Sequence, residues 1–335
     1  MRMKVLFSNS MPFFLAHGGM QTLTEALMRE LTNLGVEIEP ERWWDEKQTG
    51  DILHYIGRPF IANVRAAKAK GWKVVLTENI GQTAARGSAR LLAQRAVTEL
   101  ARLFLPAGLT HRLSWDVYQE SDAMIYIVEH EWKAARFLFR ANPQRGHIIS
   151  HGLDPVAIVE LAKPQAEEDY LVSMATIYPV KNTVLLAQAA HQAQVPVAFL
   201  GKPYSSDDPY FRQFQSLIDN KFVRYPGFAS GSEKWRWLRG ARGFVLLSQF
   251  ESGCIAVHEA AAAGLPLLLS DLPWANKVYN NIPRVQFAPL GPMNAVAKTL
   301  RLFYNHAHRS SNPTFPIQSW QQVAQRYLEI YQKIL

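Results

Sequence analysis

The sequence predicts an α/β protein built from two doubly wound domains, each with a central parallel sheet. Short apolar runs of strand length alternate with longer helical patterns along the whole chain, which is typical of stacked βα units. Of the 335 residues, 48% are hydrophobic and 19% are charged, as in ordinary globular proteins. At roughly 150 residues per domain, this length predicts about two domains.

Residues 1–150 are predicted to form the first domain, in which strands and helices alternate in order. The predicted strands lie at 4–8, 36–39, 51–56, 73–77 and 123–128. The predicted helices lie at 21–34, 61–70, 88–104 and 131–139. The looser stretch 151–169 contains glycine, proline and acidic residues, and we expect it to connect the two domains.

Residues 170–315 are predicted to form the second domain. Its strands are expected at 170–175, 197–200, 223–225, 244–247 and 267–269, with helical patterns between them. In the last segment, 316–335, Ser319 is a candidate N-cap, and the apolar residues that follow recur at helical spacing. Two such domains leave a cleft between them, and ligands of open parallel sheets bind beyond the carboxyl ends of the strands.

Composition and charge exclude several classes of protein. The single cysteine, Cys254, cannot form an internal disulfide, which fits a reducing compartment. The N-terminal residues already form a strand pattern, so we expect no signal peptide, and no apolar run reaches the ~20 residues that span a bilayer. We therefore expect a cytoplasmic protein that is neither a transporter nor a channel. The net charge is +8 and the pI is about 9.5, but no nucleic-acid-binding motif accompanies them.

A pair of glycines, Gly18 and Gly19, lies between the first predicted strand and its helix. Glycine lets the backbone approach a ligand closely, and a helix start offers unpaired N–H groups to a phosphate. Taken alone, the pair fits a phosphate-binding loop and a purely structural turn about equally.

A pair of glutamates in the second domain is more informative. Glu251 follows a predicted buried strand, Glu259 lies on the next helix, and Gly253, Cys254 and Ile255 at the helix start supply N–H groups. Ionised carboxylates only accept hydrogen bonds, and sugars and ribose present many hydroxyl donors. The two carboxylates therefore suit a ligand that carries a sugar.

This segment resembles the C-terminal signature of glycosyltransferase family 4, whose members are retaining enzymes of the GT-B fold. Six residues match in register, namely Ser248, Glu251, Glu259, Ala260, Gly264 and Pro266. Residues 223–228 (VRYPGF) resemble the turn at the nucleobase, residues 175–182 (ATIYPVKN) the phosphate loop, and residues 150–154 (SHGLD) the connector of that family. The N-terminal glycine pair also matches that family. So does the terminal helix, which in the family crosses back onto the first domain. The resemblance therefore covers nearly the whole chain.

The resemblance implies a GT-B enzyme that transfers a sugar from a UDP-, GDP- or ADP-sugar to an acceptor, as part of carbohydrate biosynthesis. It implies that Glu259 binds the ribose hydroxyls, that Glu251 contacts the transferred sugar and that Lys181 neutralises the diphosphate. The implied catalytic residues are Glu251, Lys181 and Asn79. The implied donor-binding residues are Gly18, Gly19, Thr176, Lys181, Gly227, Phe228, Glu251, Ser252, Gly253, Cys254, Ile255 and Glu259.

Departures from the family pattern keep other functions open. Thr176 stands where the family has arginine, and Asn79 stands where it has histidine. A non-catalytic relative, or one that processes sugar nucleotides such as an epimerase or a phosphorylase, is the alternative to a transferase. No Asp-x-Asp motif occurs, so we expect a metal-independent reaction with no cofactor.

A basic segment at 81–115 carries Arg86, Arg90, Arg95, Arg102 and Arg112 against a single acidic residue, Glu99. One interpretation is a helix whose apolar side packs on the sheet while its arginines are solvated. The other is a weak peripheral contact of Arg86, Arg90, Arg95 and Arg102 with an anionic membrane, or attraction of an anionic, saccharide or lipid-linked acceptor.

Overall fold

The computed structural model describes residues 3–9, 13, 18–106, 109 and 113–335, and these residues fold into two compact units. The first unit runs to His151 and also includes Trp320–Leu335, and the second unit is Gly152–Ser319. Each unit contains one parallel six-stranded sheet with flanking helices. The predicted fold class, two doubly wound α/β domains, is therefore confirmed.

The sheet of the first unit has the strand order β2-β1-β3-β4-β5-β6, and every neighbouring pair is parallel. Its strands are β1 Lys4–Asn9, β2 Glu37–Pro40, β3 Ile52–Ile56, β4 Lys73–Glu78, β5 Ala123–Tyr126 and β6 Gly146–Ile148. Its helices are α1 Gly19–Asn33, α2 Ile61–Ala69, α3 Ser88–Phe104, α4 Val117–Glu120, α5 Glu129–Phe139 and, at the chain's end, α13 Trp320–Ile334. The central strands β3 and β5 are buried along their whole length because helices cover both faces.

The sheet of the second unit has the order β12-β11-β10-β7-β8-β9 and is also parallel throughout. Its strands are β7 Leu171–Met174, β8 Val197–Leu200, β9 Val223–Gly227, β10 Gly243–Leu246, β11 Leu267–Ser270 and β12 Val285–Ala288. Its helices are α6 Pro155–Ala162, α7 Thr183–Ala193, α8 Pro209–Gln215, α9 Gly231–Gly240, α10 Ile255–Ala262, α11 Pro273–Tyr279 and α12 Met293–His306. Two apolar clusters, one on each face of the sheet, form its core.

Three elements of the structure, two strands and a helix, differ from the sequence prediction. The edge strands β6 and β12 were not predicted, since each has only three or four residues and is partly exposed. The proposed connector 151–169 contains helix α6, which begins at Pro155 and packs Ala157 and Leu161 into the core of the second unit. Proline at the first helical position, followed by an apolar run, is a signal for a helix that the sequence prediction overlooked.

Helix α13 buries one face in the first unit. Trp320, Tyr327 and Tyr331 are each at most 1% exposed, and the helix packs against α1. A polar contact also joins this helix to the sheet. The Tyr331 hydroxyl lies 2.5 Å from His54 Nδ1, and the other ring nitrogen of His54, Nε2, lies 2.8 Å from Thr77 Oγ1. Burial lowers the pKa of His54 to about 3, so this imidazole is neutral in the folded protein.

Helix α3 begins and ends where it was predicted. The interpretation in which its apolar side packs on the sheet is wrong for most of that side, although Leu91 contacts the core. Thr98 is its one fully buried residue, whereas Leu100, Leu103 and Phe104 are more than half exposed. The expected solvation of its arginines is wrong for Arg102, whose guanidinium donates to the carbonyl oxygen of Phe139. Arg112 lies outside the described residues.

No helix in the described part of the chain combines the length and the apolar character needed to cross a bilayer.

Candidate functional site

The sheet of the second unit contains a topological switch point between β7 and β10. The chain places β8 and β9 on one side of β7 and then crosses to place β10, β11 and β12 on the other. Because the sheet is parallel, the loops that follow β7 and β10 leave the same edge side by side. Ligands of open α/β sheets bind at such a point.

Lys181 and Glu251 meet at this switch point. Lys181 ends a 3₁₀ turn after β7, Glu251 follows β10, and the ammonium lies 2.7 Å from both carboxylate oxygens. The Ser248 hydroxyl donates to Glu251 Oε1 at 2.6 Å. An ammonium has three donors, so two bonds to Glu251 leave a third for a ligand. The side chain of Lys181 is 25% exposed and that of Glu251 only 8%, so the ammonium is the more accessible member of the pair.

The electrostatics of the pair favour the charged lysine. Burial lowers the pKa of Lys181, but the Glu251 carboxylate, together with Cys254 and Tyr204, raises it, so that the pKa lies above its ordinary value. Burial, reinforced by the same carboxylate, raises the pKa of the Cys254 thiol to about 12. Cys254 is therefore a protonated thiol at neutral pH and is unsuited to nucleophilic catalysis.

The start of helix α10 lies directly after Glu251. Gly253 has φ +62°, a conformation that glycine adopts without strain, and Cys254 is the N-cap. The turn brings Ser252, Gly253 and Ile255 to the helix start, and the buried Ser252 hydroxyl has no hydrogen-bond partner among the residues that the structure describes. A ligand hydroxyl or phosphate oxygen would satisfy it.

Glu259, on the same helix, forms a second ion pair. Its Oε1 lies 2.5 Å from the Lys234 ammonium on α9, and the side chain of Glu259 is 10% exposed. The carboxylate is thus held in one orientation by a charged partner. Lys234 was not identified from the sequence, because the spacing of two residues on different helices gives no sign of contact.

Two glycine backbones are joined near the end of β9. The N–H of Gly201 donates to the carbonyl oxygen of Gly227 at 2.9 Å, and the Tyr225 hydroxyl donates to Gly201. A Cβ on Gly201 would lie 1.9 Å from the Ala175 carbonyl oxygen, so only glycine fits there. The Phe228 ring is 62% exposed, and the Lys202 ammonium lies 5.2 Å from its centre.

The phosphate-loop segment adopts a compact turn. Thr176 is half-buried between β7 and the 3₁₀ turn. Asn182 has φ +51°, a conformation that asparagine tolerates, and its amide donates to the carbonyl oxygen of Leu247 at 2.8 Å. This bond ties the loop after β7 to the loop after β10 and so helps to place Lys181.

The remaining predicted site residues belong to the first unit. Gly18 is the N-cap of α1 with φ +145°, and Gly19 is the first residue of that helix. Asn79 is exposed after β4, and its Oδ1 accepts the N–H of Gly81 at 2.9 Å. Gly18, Gly19 and Asn79 therefore lie in a different unit from Lys181 and Glu251.

Sequence reasoning missed Glu78, the last residue of β4. It is 2% exposed, accepts a hydrogen bond of 2.8 Å from the Tyr118 hydroxyl, and is bonded at 3.0 Å by the N–H of Asn79. Burial raises the pKa of Glu78 above its ordinary value, although the Arg58 charge opposes this. The sequence signal that could have identified Glu78 is a carboxylate at the end of an apolar strand, KVVLTE.

Among the described residues, no group of three or more histidine, cysteine, aspartate or glutamate side chains has the arrangement of a metal site.

Comparison with known proteins identifies the class. Residues 160–283 match the family profile described as Glycosyl transferases group 1, and this range contains Lys181, Glu251 and Glu259. No curated protein matches the sequence significantly.

Solved structures match nearly the whole chain at low sequence identity. AviGT4, a glycosyltransferase involved in avilamycin A biosynthesis, has a TM-score of 0.63 at 15% identity, covering 99% of this chain and 98% of that chain. Sucrose-phosphate synthase from Thermosynechococcus elongatus has a TM-score of 0.66 at 15% identity, covering 99% of both chains. HepE from Anabaena, in complex with UDP and glucose, has a TM-score of 0.60 at 13% identity, covering 99% of this chain and 98% of that chain.

The two sheets and these likenesses define a GT-B fold. With the domain match in the second unit, they show that the protein is a glycosyltransferase. Its second unit carries a glycosyl transferases group 1 domain.

Proposed function

We propose that the protein is a retaining, metal-independent glycosyltransferase of family 4 that moves a sugar from a UDP-, GDP- or ADP-sugar to a saccharide or lipid-linked acceptor in the cytoplasm. The observation that carries the proposal is the Lys181 ammonium held by Glu251 at the switch point of the second sheet. HepE is a structural neighbour in complex with UDP and glucose, and GtfA is another, in complex with UDP and GlcNAc. Both ligand sets fit a nucleotide-sugar donor.

Lys181 is proposed to bind the donor diphosphate through its remaining donor. The leaving group of such a transfer is a nucleoside diphosphate, whose negative charge grows in the transition state. A fixed ammonium and the N–H groups at the start of α10 would stabilise that charge without reorganising. Glu251 keeps Lys181 in place and, being almost completely buried, presents its carboxylate at a defined position to the transferred sugar.

Glu259 is proposed to bind the ribose, and Gly227 and Phe228 the base. One oxygen of Glu259 is engaged by Lys234, which leaves the other to accept from a ribose hydroxyl. The exposed Phe228 ring offers an apolar face for a nucleobase next to the Lys202 charge. The roles of Gly18, Gly19 and Asn79 stay predictions.

A non-catalytic or sugar-nucleotide-processing relative is the second candidate. Thr176 favours it, because a threonine cannot supply the bidentate phosphate contact of the arginine that the family has there. The Asn79 side chain also favours it, since its Oδ1 is already bonded to Gly81. Such a relative would bind nucleotide sugars and release no glycosylated product.

A thermal-shift screen with UDP-, GDP- and ADP-sugars tests donor binding first. A ligand at about 100 times its dissociation constant adds about 2.7 kcal/mol of stability. Incubation of the best donor with candidate acceptors then tests transfer, and NMR of the product anomer tests retention. A product formed with inverted configuration, or transfer abolished by EDTA and restored by magnesium, would contradict the corresponding part of the proposal.

Calorimetry with a nucleoside diphosphate and its nucleoside tests the site itself. Because losing one partner of a buried ion pair can unfold a protein, the variant neutralises both, Lys181→Met with Glu251→Gln. We expect it to lose diphosphate affinity while nucleoside affinity stays unchanged, and the exposed Lys298→Met is the matched control. Equal weakening of both ligands would place the diphosphate elsewhere.

The same calorimetry tests the ribose assignment with Glu259→Gln, which keeps the shape and removes the charge. We expect nucleoside affinity to fall by about 1–3 kcal/mol, because the hydroxyl loses a charged acceptor. Glu233, exposed on α9 beside Lys234, provides the matched control Glu233→Gln. Unchanged affinity in a folded Glu259→Gln protein would remove this assignment.

A further inference from the structure

Helix α3 presents an apolar face to solvent. Five of its large apolar side chains are between 55% and 74% exposed, namely Leu92, Val97, Leu100, Leu103 and Phe104. At 3.6 residues per turn they share one side of the helix with Ala89, Ala93 and Ala96. This outer face, positions 89, 92, 93, 96, 97, 100, 103 and 104, contains no polar side chain.

The opposite side of α3 is mostly polar and makes the contacts of this helix with the protein, while Arg95 on it stays exposed. Thr98 is 2% exposed, the Arg95 guanidinium lies 4.6 Å from the centre of the Phe137 ring, and Arg102 lies 5.9 Å from that of Trp115. Glu99, the single acidic residue of the helix, pairs with Arg140, the C-cap residue of α5. An ordinary surface helix has the reverse arrangement, so the outer face of α3 is suited to a partner outside the chain.

Basic residues border the outer face. Arg86 and Arg90 lie before and within the first turn of α3 and are exposed. Helix α5 packs on α3, and its Lys133 and Arg136, with the C-cap residue Arg140, line an open cavity of about 410 Å³. The apolar surface also continues past the helix, where Leu105, Leu109 and Leu113 are at least 41% exposed.

The size of the face decides between two kinds of occupant. A helix of 17 residues is about 25 Å long, and a strip about 10 Å wide along it covers about 250 Å². A stable protein interface buries about 800 Å² per partner, so the strip is small for a second copy of the chain. A bilayer can take up a strip of this size, since a helix with an apolar face and a basic flank lies in the plane of the lipid headgroups and gains from both.

We propose that α3 is a membrane-surface helix. The outer face enters the boundary between acyl chains and headgroups, and Arg86, Arg90 and the α5 cations contact anionic headgroups. This inference concerns the first unit and does not depend on the donor site proposed in the second. It places a transferase at a lipid surface, where a lipid-linked acceptor would be found.

Flotation with vesicles of phosphatidylcholine, alone or with about one-third phosphatidylglycerol, tests the proposal. We expect the protein to float with the anionic vesicles at low salt and much less with neutral ones or at high salt. Leu103→Glu with Phe104→Glu should weaken binding by about tenfold or more, because two apolar side chains no longer enter the lipid. The matched control is Val156→Glu with Val159→Glu, two exposed valines on α6 of the other unit.

A second pair of variants tests the charge contribution. Arg86→Glu with Arg90→Glu should weaken binding to anionic vesicles and flatten its salt dependence, whereas Arg212→Glu with Lys298→Glu, two exposed positions of the second unit, should not. Circular dichroism establishes that each variant is folded. Absence of binding to anionic vesicles at low salt, or equal binding by the α3 and α6 variants, would overturn the proposal. So would light scattering that shows a dimer which Leu103→Glu with Phe104→Glu converts to a monomer.

Discussion

Helices α3 and α13 have similar amphipathic sequences and opposite surroundings. The apolar face of α13 is buried in the first unit, with Trp320 and Tyr331 at most 1% exposed, whereas the apolar face of α3 points to solvent, with Phe104 74% exposed. Both were predicted as helices from the same kind of periodicity. The difference teaches that an apolar face identifies a helix and one side of it, but does not identify what that side contacts.

The largest expected effect is on the free energy of unfolding, when a buried side chain of α13 is removed. Trp320→Ala should lower the free energy of unfolding by about 3–5 kcal/mol, because it leaves a large cavity under α13. Urea titration measures the loss, and Trp43→Ala is the matched control, since Trp43 is 85% exposed in the same unit. Similar small losses in both variants would mean that α13 is not firmly docked.

The docking of α13 should also depend on pH through His54. Its pKa is about 3 in the folded protein and about 6.5 when unfolded, so only the unfolded state gains a proton between these values. Stability should therefore fall by about 1.4 kcal/mol per unit as the pH drops from about 6.5 toward 3. His54→Gln should flatten this slope, and the exposed His306→Gln should leave it unchanged. A slope unaltered by His54→Gln would contradict the neutral buried imidazole.

A smaller effect is expected from the hydroxyl that joins α13 to β3. Tyr331→Phe removes the group that lies 2.5 Å from His54 Nδ1 and leaves that buried nitrogen unpaired. The expected cost is about 1–3 kcal/mol. Tyr327→Phe, which removes a longer contact of 3.2 Å to Thr77, should cost less. The reverse order, measured by thermal unfolding, would show that the His54 contact is not the stronger one.

The smallest effect belongs to α3. Phe104→Ala should change the free energy of unfolding by no more than about 0.5 kcal/mol, since the ring has little to lose in solvent. Phe139→Ala is the comparison, because Phe139 is 4% exposed and stacks on Tyr118 at 4.8 Å. A loss of several kcal/mol in Phe104→Ala would mean that another chain covers this face in solution.

Most of the fold was predictable because central parallel strands are continuous apolar runs. The predicted strand 197–200 and helix 88–104 have the bounds observed for β8 and α3. The edge strands β6 and β12 were not predicted, because a partly exposed edge strand does not need a continuous run of apolar residues. Helix α6 was missed because acidic and proline residues around it are typical of a connector.

The candidate site was predictable in part. Glu251, Glu259 and Lys181 were identified from their spacing and their resemblance to a motif, and the structure gives each carboxylate a lysine partner. Lys234 could not be identified, because it acquires its significance from a neighbour on another helix. Glu78 was missed although it ends an apolar strand, because its partner Tyr118 is distant in sequence. The functional assignments of all these residues remain predictions.

The sequence by itself determined the two doubly wound domains, the order of their central elements and the segments from which a ligand site could be built. These properties follow from hydrophobic periodicity and turn residues, which are local. Only the tertiary structure decided that α13 is buried and α3 is not, that Lys181 pairs with Glu251, and that Arg102 of α3 donates to the carbonyl oxygen of Phe139. Burial and charge pairing depend on which elements become neighbours, and 70 residues separate Lys181 from Glu251 along the chain.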